Sequence, residues 1–261
     1  MNHETLLQFW HKEGLDAYIP LNAFHTNEAV HAMDTIDPAN MVPFTPELED
    51  LCFLYRQIRQ RKFLTVLEFG VGYSTVVMAA AMKKNKEEYG REFTESDIRC
   101  LNPFSVFSLD ADEHWIKTAQ ERIPEDLREF VHINHSEVFI GTFQDRICHY
   151  YSSLPDIIPD FIYLDAPGSS QIQGEINGLS FHGCVERTLN GADILLMEPN
   201  LTPGTMIVVD GRMNNVRFLM HNLQRDWSIL VDEQGDRAVL ELKEPPLGIH
   251  NRRKLIFQGL L

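Results

Sequence analysis

The sequence has few basic residues for its size. Its 261 residues include 23 lysines and arginines against 38 aspartates and glutamates, which gives a formal net charge of −15. Nonspecific binding to a phosphate backbone needs a surface rich in positive charge. The composition therefore disfavours a nucleic acid partner.

Cysteines and long apolar runs are also scarce. The four cysteines are scattered without a CxxC pair, as Cys52, Cys100, Cys148 and Cys184, so we expect reduced thiols rather than a disulfide framework or a metal site. No apolar run approaches the roughly 20 residues of a membrane span, and the first residues lack a basic region followed by an apolar stretch. The sequence predicts a soluble, cytoplasmic protein without a membrane span.

Five short apolar runs alternate with segments of helical periodicity. They cover residues 65–70, 104–110, 130–134, 160–165 and 205–211. Such alternation is typical of a parallel sheet with helices on its faces. Two further strand-like runs surround the turn at 234–236 and predict an antiparallel hairpin. The predicted fold is α/β and Rossmann-like, with five parallel strands followed by a C-terminal antiparallel hairpin.

This pattern divides the chain into three parts. Residues 1–60 are predicted to form a helical lobe that caps the site, residues 61–243 the main domain, and residues 244–261 a tail. Within the main domain, the polar stretch 83–99 is predicted to be a surface excursion.

The stretch "VLEFGVGYST" places two glycines after an apolar run. A dinucleotide-binding turn needs a third glycine at the position of Thr75 and an acid about 20 residues further on. The acids at that distance lie in the polar stretch 83–99. Both departures disfavour a nicotinamide cofactor.

The remaining pattern, E-x-G-x-G-x-S, is followed by an acid at the end of the next strand. It resembles the first motif of class I S-adenosylmethionine (SAM)-dependent methyltransferases. The resemblance implies that Gly70 and Gly72 form the cofactor turn with Ser74, that Glu68 supports the amino-acid end of SAM, and that Asp110 holds the ribose.

Elementary chemistry agrees with this assignment. A large side chain at Gly72 would block the backbone from a ligand, and the ammonium and sulfonium of SAM favour nearby carboxylates. Two alternatives stay open: the glycines could serve only helix packing, and Asp110 could cap a helix.

His135 and Ser136 follow the third strand, where members of this family place loop residues around the adenine. The resemblance therefore assigns Ser136 to the cofactor site. A helix cap with Glu137 in the first turn is the alternative.

The fourth strand ends in Asp165-Ala166-Pro167-Gly168. Amino methyltransferases of this superfamily often carry D-P-P-Y or N-P-P-Y here, with an aromatic ring that stacks on the target. The missing aromatic residue disfavours methylation of a nucleobase or an amide.

Residues 192–212 resemble the corresponding segment of catechol-type O-methyltransferases. In those enzymes, acids at strands four and five hold a divalent cation, and Asp165 and Asp210 match them. Gly211 replaces the neighbouring amide ligand, for which Asn214 or Asn215 could compensate. No metal site is assigned, and magnesium is left open.

A hydroxyl acceptor must lose a proton, which requires a base or a metal. Asp165 is the first candidate, Asp210 the second as base or metal ligand, and His182 a third. A lone histidine such as His182 is more often packed or on the surface. Arg212 could bind an anionic group of the substrate, or could be an ordinary arginine at a helix start.

The sequence thus predicts a SAM-dependent methyltransferase acting on a hydroxyl of a small molecule, with sugars and saccharides among the candidate acceptors. Phe24, His25 and Met33 are candidates for the acceptor pocket. Two alternatives are an aminopropyltransferase that uses decarboxylated SAM and a non-catalytic subunit that keeps the fold. The sequence carries no signal for an oligomeric state.

Overall fold

The computed structural model describes residues 3–25, 46–183 and 186–261. The candidate Met33 and Cys184, expected to be a reduced thiol, lie outside these residues. The described strands are β1 (Thr65–Phe69), β2 (Ser105–Asp110), β3 (Val131–His135), β4 (Val138–Phe143), β5 (Arg146–Tyr151), β6 (Phe161–Leu164), β7 (Ile172–Gln173), β8 (Met206–Asp210), β9 (Trp227–Asp232) and β10 (Arg237–Leu242). The described helices are α1 (His3–Glu13), α2 (Leu48–Gln60), α3 (Tyr73–Glu95), α4 (Glu113–Arg122), α5 (Asp193–Met197), α6 (Met213–Asn222) and α7 (Gly248–Phe257).

Seven of these strands form one sheet in the order β3-β2-β1-β6-β8-β10-β9. The first five pair in parallel, and β10 pairs antiparallel with both β8 and β9. Strands β1 and β6 are buried along their whole length, which explains why they are continuous apolar runs in the sequence. The predicted fold class, the Rossmann-like seven-stranded sheet with a C-terminal antiparallel hairpin, is confirmed.

Successive strands are added to the sheet in opposite directions on the two sides of the boundary between β1 and β6. From β1 the chain continues outward to β2 and β3, whereas from β6 it continues to β8 on the other side. Open α/β sheets bind ligands at this switch point, in the crevice beyond the carboxyl ends of the strands. The ends of β1, β2, β6 and β8 therefore define where a site is expected.

Helix α3 starts directly after the glycine turn. Its first half is apolar and buried, and its second half includes most of the polar stretch 83–99. The predicted surface excursion is wrong there, because lysine and glutamate are good helix formers and the stretch continues the helix. Tyr89 and Phe93 of this half pack edge-on against Phe257 of α7, and Lys62 lies 3.0 Å from Glu92.

The N-terminal helices share a hydrophobic core with the sheet. Trp10 of α1 and Ile58 of α2 are buried in the same cluster as Val66 and Met78. Phe24 packs edge-on against Trp10, with ring centroids 5.2 Å apart. This contact places Phe24 against α1, and the predicted acceptor pocket around it stays a prediction.

The start of α2 lies beside the end of β8. Arg237 is the β10 residue paired with Asp210, and its Nη1 donates a 2.6 Å hydrogen bond to Asp50 in the first turn of α2. The guanidinium also lies over the Phe53 ring, 4.2 Å from its centroid. These contacts hold the N-terminal part of the chain next to the carboxyl edge of the sheet.

A second, three-stranded sheet has the order β5-β4-β7. Its hairpin turns at Gln144 and Asp145, which both have positive φ angles, of 48° and 63°. A two-residue turn of this kind matches the twist of a hairpin. The sequence analysis did not predict this sheet, because Gln-Asp lacks the Asn-Gly or Asp-Gly signature of such turns. Within the described ranges, no helix has the length and apolar character needed to cross a membrane.

Candidate functional site

Three aspartates lie at the carboxyl edge of the sheet. Asp110 ends β2, Asp165 follows β6, and Asp210 ends β8. Because β6 and β8 are neighbours, Asp165 and Asp210 lie next to each other, while Asp110 is on the far side of β1. The structure thus brings together three of the acids that the sequence analysis selected.

Asp165 is exposed at the carboxyl edge of the sheet, and the protein around its carboxyl removes part of its solvation. This desolvation raises its pKa to about 6. The nearby charges of Asp210 and Asp110 raise the pKa as well, and Arg212 lowers it. A carboxyl with a pKa near 6 is ionised at neutral pH and can still accept a proton there.

The two glycines of the turn have different structural roles. Gly70 has φ of 122°, a conformation that favours glycine, and a Cβ built on it would lie 3.3 Å from the Cβ of Ala166. Gly72 is extended, and its nearest neighbour for an added Cβ is Ser74 Oγ at 4.0 Å. Packing therefore explains Gly70, whereas at Gly72 the chain leaves open space.

Glu68 lies beneath this turn and is fully buried. Its carboxylate accepts hydrogen bonds from the hydroxyls of Ser74, Thr75 at 2.6 Å and Ser108 at 2.5 Å. The Gly72 N–H in turn donates to Thr75 Oγ1 at 3.0 Å. Burial raises the pKa of Glu68 to about 7, although the three hydroxyls act in the opposite direction. Glu68 thus acts on the turn through these hydroxyls.

Asp110 is 5% exposed. Its Oδ1 accepts hydrogen bonds from the Asp112 N–H at 2.8 Å and from Gln171 Nε2 at 3.3 Å. Helix α4 is capped by Asp112, which accepts from the N–H of His114 at 2.8 Å, so the alternative role of Asp110 as the helix cap is wrong. Burial raises the pKa of Asp110 to about 6.

Ser136 lies beside Asp110 in the backbone. Its N–H donates to the Asp110 carbonyl at 2.9 Å, and its Oγ donates to the Ser153 carbonyl at 2.8 Å. Because strand β4 follows at Val138, the alternative of a helix cap at Ser136 is wrong. His135 is exposed, and its Nε2 lies 3.2 Å from the Ala111 carbonyl oxygen.

Arg212 forms hydrogen bonds with the loop that follows β6. Its guanidinium donates to the carbonyls of Asp165 and Pro167, the latter at 2.9 Å. These hydrogen bonds explain why the Arg212 side chain lies beside Asp165. Binding of an anionic substrate group by Arg212 stays a prediction.

Asp210 accepts a 2.6 Å hydrogen bond from the hydroxyl of Tyr163. Burial raises the pKa of Asp210, while this hydrogen bond lowers it. The adjacent Gly211 donates its N–H to the Asp236 carbonyl at 2.7 Å.

The two asparagines considered as metal ligands have other contacts. The Asn215 amide is buried and bonds the N–H and carbonyl of Gly191, and Asn214 donates to Asn190 at 2.7 Å. Across the described residues, no group of three or more histidine, cysteine, aspartate or glutamate side chains is arranged to hold a metal ion.

His182 is exposed, and its Nδ1 lies 3.3 Å from the Ile172 carbonyl oxygen in β7. This contact places the imidazole beside the second sheet. Its part in proton transfer stays a prediction.

Four residues of the site were not selected from the sequence: Asp50, Tyr151, Tyr163 and Gln171. Tyr163 could have been selected from the sequence, because it precedes Asp165 by two residues in the apolar run 160–165, and alternate residues of a strand point to the same face. The other three reach the site through tertiary contacts, with Asp50 joined by Arg237 and Gln171 by Asp110. No local pattern predicts such contacts.

No protein-family model matches the chain, and no curated protein matches it. Solved structures with a similar fold include the O-methyltransferase TomG from Streptomyces achromogenes in complex with SAM, with 15% identity, coverage of 88% of this chain and 96% of that one, and a TM-score of 0.45. Cofactor-bound Rv0187 from MTB has 14% identity, coverage of 90% and 97%, and a TM-score of 0.48. An O-methyltransferase from Bacillus cereus in complex with SAH has 14% identity, coverage of 94% and 92%, and a TM-score of 0.40. At these identities the likeness concerns the fold alone.

Proposed function

We propose that the protein is a SAM-dependent methyltransferase that transfers a methyl group to a hydroxyl of a small molecule. The observation that carries the proposal is the open space at Gly72, in the turn that follows β1. The strands on either side of β1 lead to Asp110, which ends β2, and to Asp165, which follows β6. Two strand spacings separate the carboxyl ends of β2 and β6 by roughly 10 Å. That span suits a nucleoside with a charged extension.

The residues around the turn fit SAM. Asp110 would accept hydrogen bonds from the ribose hydroxyls, and the backbone at Gly70 and Gly72 would lie against the methionine part. Glu68, acting through Ser74, would hold the turn in place. Ser136 would contact the adenine side through its loop. The carboxylates favour a ligand that carries an ammonium and a sulfonium.

When bound, SAM supplies an electrophilic methyl group. The chain then has to orient the acceptor, exclude water and remove a proton from the hydroxyl. Asp165 is the proposed base, because it is exposed at the carboxyl edge of the sheet beside Asp210 and has its pKa raised to about 6. Asp210 is adjacent and can share this role, and His182 is the alternative base.

The proposal does not assign a magnesium ion to the site. Asp165 and Asp210 would be its ligands if a divalent cation bound there, although no third histidine, cysteine, aspartate or glutamate among the described residues completes such a group. Every step above is therefore assigned to side chains of the chain itself.

The proposed acceptor is a small hydroxylated molecule, with sugars and saccharides as first candidates. The acidic surface disfavours nucleic acid, and Gly168 stands where amino methyltransferases often have their stacking aromatic residue.

A specific observation also supports an aminopropyltransferase that uses decarboxylated SAM. Asp50 has its pKa raised to about 7 by burial and by the nearby carboxylates of Asp210 and Glu47. Acidic side chains next to the site would attract a cationic polyamine, with Arg237 offsetting part of their charge through its ion pair with Asp50. Analysis of the reaction product separates the two functions, since one transfers methyl and the other aminopropyl.

The test is calorimetric titration of the purified protein with SAM, S-adenosylhomocysteine and decarboxylated SAM, each with and without magnesium. Micromolar binding of SAM and S-adenosylhomocysteine is the expected result. A preference for decarboxylated SAM would favour the aminopropyltransferase. Failure of all three to bind would reject both enzymes and favour a non-catalytic subunit.

A further inference from the structure

The last residue of β5, Tyr151, reaches the carboxyl edge of the main sheet from the second sheet. Its ring lies 5.4 Å from the ring of Phe69, the last residue of β1 and the neighbour of Gly70. Its backbone N–H donates a 3.0 Å hydrogen bond to Asp193. The hairpin that the sequence analysis missed thus places an aromatic residue against the end of the strand that carries the glycine turn.

Charged groups of the site act on the Tyr151 hydroxyl. They are the carboxylates of Asp110, Asp193 and Asp165 and the guanidinium of Arg212. Burial and the three carboxylates raise the pKa of Tyr151 well above its usual value, so the hydroxyl stays protonated. It is therefore a hydrogen-bond donor near the end of β2.

This donor has no acceptor among the described residues. Tyr151 is 6% exposed, and its Oη is buried without a hydrogen-bond partner. A buried polar group left unpaired costs about 1 to 3 kcal/mol, and most such groups in folded proteins are paired. A buried water or a molecule bound at the site would supply the missing acceptor.

The same side of β5 carries a second group of this kind. His149 precedes Tyr151 by two residues and so lies on the same face of the strand. It is buried, and both ring nitrogens lack a partner in the described part of the chain. Burial and Arg212 lower the pKa of His149 to about 3, so the imidazole is neutral. This face of the hairpin is therefore polar and uncharged.

We propose that Tyr151 is a cofactor-contacting residue whose hydroxyl donates a hydrogen bond to a ribose oxygen of the nucleoside bound at the glycine turn. The inference rests on the proposed function and adds the second sheet to the cofactor site. The nearby carboxylates of Asp110, Asp165 and Asp193 disfavour an anionic partner for the hydroxyl. A ribose suits both groups, because its hydroxyl hydrogens can be donated to Asp110 while its oxygens accept from Tyr151.

The test compares Tyr151→Phe with wild type by calorimetry, using S-adenosylhomocysteine and 5′-methylthioadenosine, which keeps the ribose and lacks the amino-acid group. We expect the dissociation constants of both ligands to rise by about tenfold, as for one lost hydrogen bond. The melting temperature without ligand should be unchanged or higher, because an unpaired buried hydroxyl has been removed.

The matched control is Tyr150→Phe on the same strand. Its hydroxyl already donates to the Thr142 carbonyl at 3.2 Å, so both dissociation constants should stay at the wild-type value. Weakening of both ligands by this control to the same extent would overturn the inference, since the effect would then come from the hairpin in general.

Three other outcomes would overturn the contact. Wild-type affinity in Tyr151→Phe, with a lower melting temperature, would show that the hydroxyl pairs with a buried water. Weakening of S-adenosylhomocysteine alone would move the contact to the amino-acid end. If the wild-type protein bound neither nucleoside, the proposed function itself would fail together with this inference.

Discussion

The hydroxyl of Tyr163 donates a 2.6 Å hydrogen bond to Oδ2 of Asp210, and so joins β6 to the end of β8. Tyr163 is buried, and its own pKa is raised well above the usual value, so it remains the donor. Asp165 follows Tyr163 by two residues. Strand β6 therefore supplies the residue that positions Asp210, and the residue directly after the strand is the proposed base.

Replacing Tyr163 with phenylalanine tests this arrangement. The hydrogen bond lowers the pKa of Asp210, so its loss should raise that pKa and shift the acidic limb of the pH profile of methyl transfer to higher pH. The shift is measured from initial rates between pH 5 and 9. Tyr150→Phe is the control and should keep the wild-type profile. An unshifted profile in Tyr163→Phe would show that Asp210 does not titrate in the reaction.

Asp165→Asn is expected to affect turnover more than binding. The amide keeps the size of the side chain but cannot accept the proton of the acceptor, and general bases contribute about 10²- to 10⁴-fold to rate. We expect kcat to fall by about that factor, with SAM affinity within about threefold of wild type. Asp156→Asn, at an exposed position, controls for loss of charge. The reverse pattern, with affinity lost and turnover kept, would move Asp165 into the cofactor site.

Gly72→Leu should abolish SAM binding and leave the fold intact. The backbone there is extended and the space above it is open, so a leucine can be accommodated by the chain while it occupies the ligand's position. Calorimetry and the melting temperature measure the two effects, and Gly72→Ala should weaken binding less. Unchanged affinity in the leucine variant would mean that the turn does not contact the cofactor.

Asp110→Ala should weaken SAM binding by about 1 to 3 kcal/mol through loss of charge-assisted hydrogen bonds. Because burial raises the pKa of Asp110 to about 6, wild-type affinity should increase from pH 5 to 7 and then level off. Asp110→Asn should show a flatter dependence. Asp112→Asn, which keeps a capping side chain on α4, is the control. An unaffected dissociation constant in Asp110→Ala would argue against the ribose contact.

Glu68→Gln tests the buried carboxyl through stability. The pKa of Glu68 is about 7 in the folded chain, against about 4.5 when unfolded, so the folded state retains the proton between these values. Its contribution to the free energy of unfolding should therefore fall by about 3 kcal/mol as pH rises from 4.5 to 7, and stay constant above.

The glutamine variant lacks this titration. Urea unfolding at pH 5, 6 and 8 should show that the difference in unfolding free energy, wild type minus variant, decreases with pH. A difference that is the same at all three values would mean that Glu68 is ionised throughout.

The strands and their order along the chain could be predicted from the amino-acid sequence because a buried parallel strand needs a continuous apolar run. Residues 104–110, 160–165 and 205–211 are such runs, and the acids at or near their ends mark the carboxyl edge. The glycine pattern and the acids Asp110, Asp165 and Asp210 were visible for the same reason. They adjoin strand ends, and the topology brings those ends together.

Only the tertiary structure decided which groups are buried and what they contact. Periodicity does not show that Glu68 turns inward to three hydroxyls, that Asp112 rather than Asp110 caps α4, or that the hairpin of β4 and β5 brings Tyr151 to Phe69. Each of these depends on contacts between residues distant in the chain or on competition between neighbouring side chains. The sequence by itself determined the sheet and the acids at its edge, because these follow from local apolar patterns. The environment of each acid, and hence its pKa, was decided by packing across the fold.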